Sequence, residues 1–322
     1  MKPRFNGETL MKSFLTLFGI IFCANAFASE GFHTSPLPPQ IKAVWDSTIV
    51  YRAGGGFCSA FLIHKEQING RHMLFFMSAA HCIEGVDGFK DNEPTTDLKL
   101  VRETFTDIFP NVAVDLSRQD WPDHFIGAPL PAQLTPVWAF RHSKFEQSGA
   151  LEDVLVIGFE SDRDLPELVP VKMGASGGRK NLTDLVHYSI GFPGTVLRPV
   201  AQQNVKIADG NILQKRWASG KFLAYTDFEI KKYDYSNFVT SDADSFAGNS
   251  GGALVLESGE VVGLVSHGLD SDPVTNERDY SYSGIKNKKP YRIIAYAPPS
   301  LAAVRDKAIR MFRDFISASE KN

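Results

Sequence analysis

Short apolar runs, bounded by turn residues, recur along most of this chain. Each is about five to nine residues long and rich in Val, Ile, Leu, Phe or Tyr, and Gly, Asn, Asp or Pro bounds most of them. Many short strands at modest spacing predict an all-β barrel or sandwich, and no alternation with long helical patterns suggests a parallel α/β sheet. The runs are Ser47–Tyr51, Ser59–Ile63, Met73–Met77, Val154–Phe159, Val186–Gly191, Phe222–Ile230, Gly252–Leu256 and Val261–Ser266.

The C-terminal segment has a different periodicity. Ser300 can cap a helix whose apolar residues recur at helical spacing, with basic residues between them. This pattern predicts a helix over 300–322 that docks one apolar stripe onto the rest of the fold. The stripe consists of Leu301, Val304, Ile309, Met311, Phe312 and Phe315.

The N-terminus has the three-part layout of a secretory signal peptide. Basic residues precede an apolar run from Phe14 to Phe22, and the small-x-small pattern Ala26-Phe27-Ala28 follows. The run is shorter than the roughly 20 apolar residues that span a bilayer. We therefore expect residues 1–28 to be removed on export, a Pro-rich leader over 29–40, and a secreted or periplasmic protein without a membrane anchor.

Charge and cysteine content narrow the partners and cofactors. The formal net charge is −3 and no basic patch stands out, which argues against a nucleic-acid partner. Of the three cysteines, Cys23 lies in the signal region, so Cys58 and Cys82 remain as a disulfide or as two buried thiols. Two cysteines alone do not make the four ligands of a zinc site, and we expect no metal and no cofactor.

A serine flanked by glycines, Gly248-Asn249-Ser250-Gly251-Gly252, is the strongest local signal. Glycines allow positive φ and close approach of a substrate carbonyl, so the segment suits a nucleophile on a tight turn. They also let successive N–H groups converge where an oxyanion forms. By itself, the segment could equally be an ordinary turn.

A histidine ends an apolar run in Phe76-Met77-Ser78-Ala79-Ala80-His81-Cys82. Most lone histidines are not catalytic, but Cys82 lies beside this one and Cys58 lies upstream. A bridge between Cys58 and Cys82 would pin the strand end that carries the imidazole.

Together these segments resemble the trypsin-like serine peptidases, in particular the bacterial branch. Ser78–Cys82 is similar to the family's histidine motif and Gly248–Gly252 to its serine motif. Gly191-Phe192-Pro193-Gly194 is similar to a strand-end motif, and Val262–Gly268 to the strand that lines the substrate cleft. The motifs lie in family order across most of the chain after the leader.

The resemblance implies two antiparallel six-stranded β-barrels, over 41–165 and 166–299, followed by the C-terminal helix. It implies His81 as general base in the first barrel and Ser250 as nucleophile in the second, with the Gly248 and Ser250 amides as oxyanion hole. A substrate, a protein or peptide, would bind in the cleft between the barrels.

The third triad member is an aspartate that the family places before an apolar strand between histidine and serine. Asp153, in Asp153-Val154-Leu155-Val156-Ile157, matches this pattern best, although it lies farther after His81 than is usual. Asp115 is the second candidate. Asp97 is too close to His81 to leave room for the intervening strands.

Two departures from the digestive members concern activation and specificity. Asn249 stands where those members carry the aspartate that pairs with a new N-terminal amine, so we expect an oxyanion hole that forms without that switch. Asp244 lies where tryptic members carry the aspartate of their primary pocket, which favours Arg or Lys at P1. Ser266 and Gly268 match cleft-wall positions and are predicted to contact substrate.

Two other classes of protein share part of these sequence signals. Gly248–Gly252 also satisfies the nucleophile elbow of α/β-hydrolases, but that fold needs a later histidine on a separate loop, and His267 is too near. A catalytically silent homologue that binds proteins through the cleft would be expected to have lost His81 or Ser250. The sequence therefore favours a secreted serine endopeptidase, with the silent homologue as the alternative.

Overall fold

The fold is mostly β, with two large antiparallel β-sheets and a C-terminal helix, as the sequence predicts. It is known from a computed structural model, which describes residues 36–54, 56–110, 113–115, 133–146, 149–174, 182–193, 212–223, 238–241, 243, 248–268, 293–296 and 301–319. Within these ranges, no helix combines the length and apolar content needed to cross a membrane. The expected signal peptide over 1–28 lies outside the described residues.

Strands dominate the described residues, with three α-helices and two short 3-10 helices. The strands are β1 Thr48–Ala53, β2 Gly56–Ile68, β3 Arg71–Ser78, β4 Pro94–Thr95, β5 Thr106–Phe109, β6 Ala113–Asp115, β7 Leu134–Glu146, β8 Gly149–Ser161, β9 Val186–Gly191, β10 Ile212–Gln214, β11 Arg216–Leu223, β12 Phe238–Ser241, β13 Ala253–Leu256, β14 Val261–Gly268 and β15 Ile293–Tyr296. The helices are α1 Lys42–Asp46, α2 Leu98–Thr104 and α3 Leu301–Ser319, and the 3-10 helices are Pro39–Ile41 and Ala80–Ile83.

The first sheet is built from the N-terminal half of the chain. Its order is β4-β7-β8-β3-β2-β1-β5, so it has seven strands rather than the predicted six. The outermost strands, β4 and β5, are only two and four residues long. Such short pieces leave no apolar run that a sequence pattern can detect. In contrast, β2, β7 and β8 have 13 residues each and continue well beyond their apolar runs.

The second sheet is built from the C-terminal half. Its six strands pair in the cyclic order β11-β12-β15-β14-β13-β9, which closes the sheet. A separate two-stranded sheet pairs β6 with β10, so Asp115 lies opposite Ile212. Between the two sheets, residues 162–174 form a connection whose Met173 bridges to Val261 of β14.

The C-terminal helix α3 packs its apolar stripe against the first sheet, so its existence and its docking are confirmed. Leu301, Val304, Ile309 and Phe312 are buried. The Phe312 ring lies edge-on to Phe75 at a centroid distance of 5.0 Å. Aromatic contacts of this kind add to the free energy gained from burying apolar area. Helix α3 therefore belongs to the core of the first half rather than to its surface.

The segment from 84 to 110 contains a helix that the sequence reasoning did not predict. Helix α2 begins after Asp97, whose carboxylate accepts hydrogen bonds from the Lys99 and Leu100 amides at 3.0 and 3.2 Å. This is the ordinary chemistry of an N-cap. The role of Asp97 is thus structural, in agreement with its exclusion from the triad.

The end of the Pro-rich leader is part of the folded body. Residues Pro39–Ile41 form a 3-10 helix, and the Gln40 side-chain amide donates to the Tyr188 hydroxyl at 2.8 Å. Ile41 is fully buried. The last residues of the predicted leader are therefore held against β9 of the second sheet.

Candidate active site

His81 lies in the 3-10 helix Ala80–Ile83, directly after β3. The strand before it is buried along its last six residues, which fixes the point at which the chain turns. Cys82 forms a disulfide with Cys58, so the predicted bridge is confirmed. Because Cys58 lies on β2, the helix that carries His81 is attached covalently to the neighbouring strand.

Asp153 lies on β8 and is fully buried. Its Oδ1 accepts the His81 backbone N–H at 2.8 Å, and its Oδ2 lies 2.9 Å from His81 Nδ1. The Ser266 hydroxyl also donates to Oδ2. Several donors therefore surround the carboxylate, as a buried charge requires.

Ser250 lies on the turn before β13, and its Oγ is 2.9 Å from His81 Nε2. The turn contains two glycines with positive φ, Gly248 at 97° and Gly251 at 80°. Other residues are strained in this region, so the glycines of the motif are required by the backbone. The contacts to both ring nitrogens place Asp153, His81 and Ser250 in one hydrogen-bonded row.

The pKa of His81 is raised above its ordinary value. Burial acts in the opposite direction, but the charge of Asp153 and its hydrogen bond outweigh it, and Glu84 adds a smaller raising effect. The neighbouring carboxylate thus stabilises the imidazolium form. A histidine in this setting can accept a proton from Ser250 and hold it.

The amides of Gly248 and Ser250, predicted to form an oxyanion hole, lie on the same turn. Among the described residues, neither N–H donates to an acceptor, whereas the Gly251 N–H bonds to Val265 O at 2.7 Å. Two N–H groups beside the Ser250 hydroxyl, without an acceptor among the described residues, are donors that can receive a developing negative charge.

Asn249 lies between these two amides, and its side chain is buried. The side chain carries no charge, so it offers no partner for a buried ammonium group.

The other residues that the sequence predicted for the site are not all near His81 and Ser250. Asp115 lies in the separate two-stranded sheet, and it is Asp153 that contacts His81. The Ser266 hydroxyl donates to Asp153, so this side chain supports the buried carboxylate. Gly268 ends β14 opposite Ile293, and Asp244 lies outside the described residues. No group of His, Cys, Asp and Glu in the described ranges could hold a metal ion.

The sequence reasoning did not identify Ser59 and Ser78, which contact the turn from the first sheet. Ser59 N donates to Ser250 O at 2.8 Å, and its hydroxyl donates to Gly248 O at 2.7 Å. Ser78 Oγ donates to Ser59 O at 2.7 Å. Their positions in the sequence are the one signal that could have identified them. Ser59 directly follows Cys58, and Ser78 is the first residue of the histidine motif Ser78–Cys82.

Comparisons with known proteins give one family and a set of distant structures. Residues 58–264 match the trypsin-like peptidase domain. Two solved structures in the inactive form are similar: a serine-to-alanine variant of Rv3671c from M. tuberculosis H37Rv, and the Rv3671c protease. Both are 15% identical and cover 85% of this chain, with 95% and 98% of their own chains covered and TM-scores of 0.39 and 0.41. No curated protein sequence matches this chain.

Proposed function

Because the chain belongs to the trypsin-like peptidase family, we propose that it is a serine endopeptidase with Ser250 as nucleophile, His81 as general base and Asp153 as the acid that orients it. The family implies protein or peptide substrates. The proposal includes two β-barrels that form a cleft between them, with the closed second sheet as the barrel that carries Ser250.

The observation that carries the proposal is the hydrogen-bonded row from Asp153 through His81 to Ser250, with 2.9 Å at each ring nitrogen. A buried carboxylate on Nδ1 holds the proton there and leaves Nε2 as the acceptor. A hydroxyl on Nε2 is then ready to lose its proton. A serine and a histidine in contact without the carboxylate would lack this fixed tautomer.

In the first step, Ser250 Oγ attacks the carbonyl carbon of the scissile peptide bond. Its proton passes to His81 Nε2, and the carbonyl π electrons move onto the oxygen. The resulting oxyanion accepts hydrogen bonds from the Gly248 and Ser250 amides. Each such donor contributes roughly 3–4 kcal/mol in comparable enzymes.

In the second step, the carbon–nitrogen bond breaks and the leaving amine takes the proton from His81. The acyl group remains as an ester of Ser250. Water then loses a proton to His81 and attacks the ester carbonyl, and the same proton returns to Ser250 Oγ as the acid leaves. Every proton therefore passes through the same ring nitrogen, and Asp153 stays ionised throughout.

Specificity and location complete the proposal. Asp244, in the position of the primary-pocket aspartate, supports a preference for Arg or Lys at P1. The N-terminal pattern supports export with removal of 1–28, and a disulfide suits the oxidising compartment that export leads to. The P1 preference and the export are independent of the assignment of Ser250, His81 and Asp153.

The test is labelling of the purified mature protein, with its disulfide intact, by a fluorescent fluorophosphonate. We expect the wild type to be labelled and both Ser250→Ala and His81→Ala to lose the label. Two variants serve as matched controls: Ser258→Ala removes an exposed hydroxyl near β13, and His72→Ala removes a histidine on β3. Both should be labelled at the wild-type rate.

Cleavage of fluorescein-labelled casein then separates an endopeptidase from a merely reactive serine. Loss of both labelling and cleavage in Ser250→Ala would support the proposal. A folded wild type that takes no label would reject it and favour the catalytically silent homologue.

A further inference from the structure

Ser59 connects the first sheet to both sides of the Ser250 turn. It is fully buried on β2, next to the disulfide cysteine Cys58. Its N–H donates to Ser250 O and its hydroxyl donates to Gly248 O. One residue therefore holds the carbonyls of the two peptide groups that flank the Asn249–Ser250 link.

The direction of the hydroxyl bond is fixed by chemistry. Phe192 N–H donates to Ser59 Oγ at 2.9 Å, and a backbone N–H can only donate. The hydroxyl has a single proton, and the Gly248 carbonyl can only accept. The proton of Ser59 therefore points to Gly248 O, and the hydroxyl ties the turn to the end of β9 as well as to β2.

Two further side chains hold Ser59 itself. Ser78 Oγ donates to Ser59 O, and it lies 2.7 Å from the Tyr51 hydroxyl. Because the Ser78 proton is already committed, Tyr51 must donate to Ser78. Burial, with a smaller contribution from Asp153, raises the pKa of Tyr51 against the lowering effect of its bond to Ser78, so the phenol keeps its proton. All three side chains are fully buried.

The turn needs such support because its glycines permit alternative backbone conformations. Gly248 and Gly251 have positive φ, and glycine visits both signs of φ readily. A Cβ at Gly251 would lie 2.1 Å from Ser78 Oγ and 2.3 Å from Ser59 O. The turn therefore lies directly against this buried network, which holds it from the first sheet, while Val265 holds Gly251 and Gly252 from the second sheet.

We propose that Ser59 is a positioning residue for the oxyanion hole: it fixes the Gly248 and Ser250 carbonyls, and because these belong to the peptide groups on either side of the Asn249–Ser250 peptide, it orients the Ser250 N–H between them. The inference rests on the proposed function. Ser59 touches no substrate atom in this account. It acts through the backbone of the turn.

The experiment compares Ser59→Ala with Ser47→Ala as a matched control. Ser47 is equally buried, and its hydroxyl donates to Val169 O of the connecting segment at 2.5 Å, far along the chain from the turn. Each variant loses one hydroxyl-to-carbonyl bond, and Ser59→Ala also leaves the Phe192 N–H without its acceptor, so we expect Tm to fall in both variants and farther in Ser59→Ala. Only Ser59→Ala should lower the maximal rate of fluorophosphonate labelling, kinact.

We expect that fall to be roughly tenfold to a hundredfold, a part of the about 10²–10³ lost when an oxyanion donor is removed outright. The concentration for half-maximal labelling and the pH midpoint should not change, because His81 and Asp153 are untouched. Hydrogen exchange of the 248–252 amides should become faster in Ser59→Ala and not in Ser47→Ala. If Ser59→Ala does not fold, Ser78→Ala should show the same changes in kinact and in hydrogen exchange, with smaller magnitudes.

An unchanged kinact or unchanged exchange in Ser59→Ala, with the wild type labelled, would overturn this inference and leave the proposed function standing. A wild type that takes no label would remove both. Equal losses of kinact in Ser59→Ala and Ser47→Ala would also overturn the inference, because general destabilisation of the fold would then explain both losses.

Discussion

The two halves of the molecule contribute to the site in different ways. The first half holds Asp153 on a long strand and His81 on a helix that is cross-linked to a second strand. Its core is large, includes the rings that pack on α3, and continues into buried residues of the second sheet such as Ile190 and Leu264. The second half holds Ser250 on a glycine turn, and part of its interior is a separate small cluster around Phe222 and Leu254.

This difference shows which contacts determine the distances between the three side chains of the site. The contact between His81 and Asp153 is made within the first sheet, and Ser266 of the second sheet adds one further donor to the Asp153 carboxylate. Ser250 is fixed by bonds that cross from Ser59 on the opposite sheet. The distance between Nε2 and Oγ therefore depends on how well the halves fit together, and not on either half alone.

The largest expected effect comes from breaking the acid within the first half. Asp153→Asn preserves the shape of the side chain but stabilises the wrong tautomer of His81, so we expect kcat to fall about 10⁴-fold. The measurement is casein cleavage at saturating substrate. Asp164→Asn, an exposed carboxylate paired with Lys65, should change nothing. A fall of less than about tenfold in Asp153→Asn would contradict the assigned role.

The next effect comes from disturbing the fit between the halves. In Gly251→Ala, the new methyl group would collide with Ser78 and Ser59 of the first sheet. We expect the labelling rate to fall by at least about 10², comparable to the loss of an oxyanion donor.

Gly259→Ala is the matched control for this substitution. Gly259 has the same φ of 80°, but it lies in the turn between β13 and β14. Its methyl group would meet Gln40 O at 3.0 Å rather than the first sheet. Both variants place an alanine at a positive φ and are therefore strained. An equal loss of activity in the two would mean that backbone strain, and not the contact between the turn and the first sheet, causes the loss.

The smallest effect is a shift in the pH profile. Activity needs neutral His81, so the labelling rate should rise with pH through the raised pKa, with a midpoint above the ordinary value of about 6.5. Because the folded state favours protonated His81, its stabilising contribution is present below the unfolded pKa and is lost as pH rises through the folded pKa.

Glu84 provides the control for the pH profile, since its charge also raises the pKa of His81. Glu84→Gln should move the midpoint to lower pH by a small amount, without changing the maximal rate. A midpoint that moves upward in this variant would contradict the electrostatic account.

Local signals in the sequence predicted much of this molecule. The apolar runs that became β1, β3, β9 and β14, and the helical periodicity of α3, depend on neighbouring residues, and a single sequence contains that information. The glycines around Ser250 and the alanines before His81 are local in the same sense. The structure brings these two residues together with Asp153, the better match of the two aspartates that were weighed.

The parts that were not predicted are short or non-local. Strands β4 and β5 and helix α2 have too few residues for a periodic pattern, although Asp97 is a recognisable N-cap. The bond from Ser59 to Gly248 joins residues 189 positions apart, and no local pattern indicates that the two are paired. A buried serine in a strand has no signature until its acceptor is known.

The disulfide has a consequence for how the protein can be prepared. Cys58 adjoins Ser59, which supports the turn, and Cys82 adjoins His81, so a single covalent link within the first half joins the strand that supports the turn to the helix that carries the imidazole. Material made in a reducing host would lose this link. An inactive preparation should therefore be assayed for free thiols before its inactivity is attributed to the amino-acid sequence. Oxidation of the two cysteines should restore its activity.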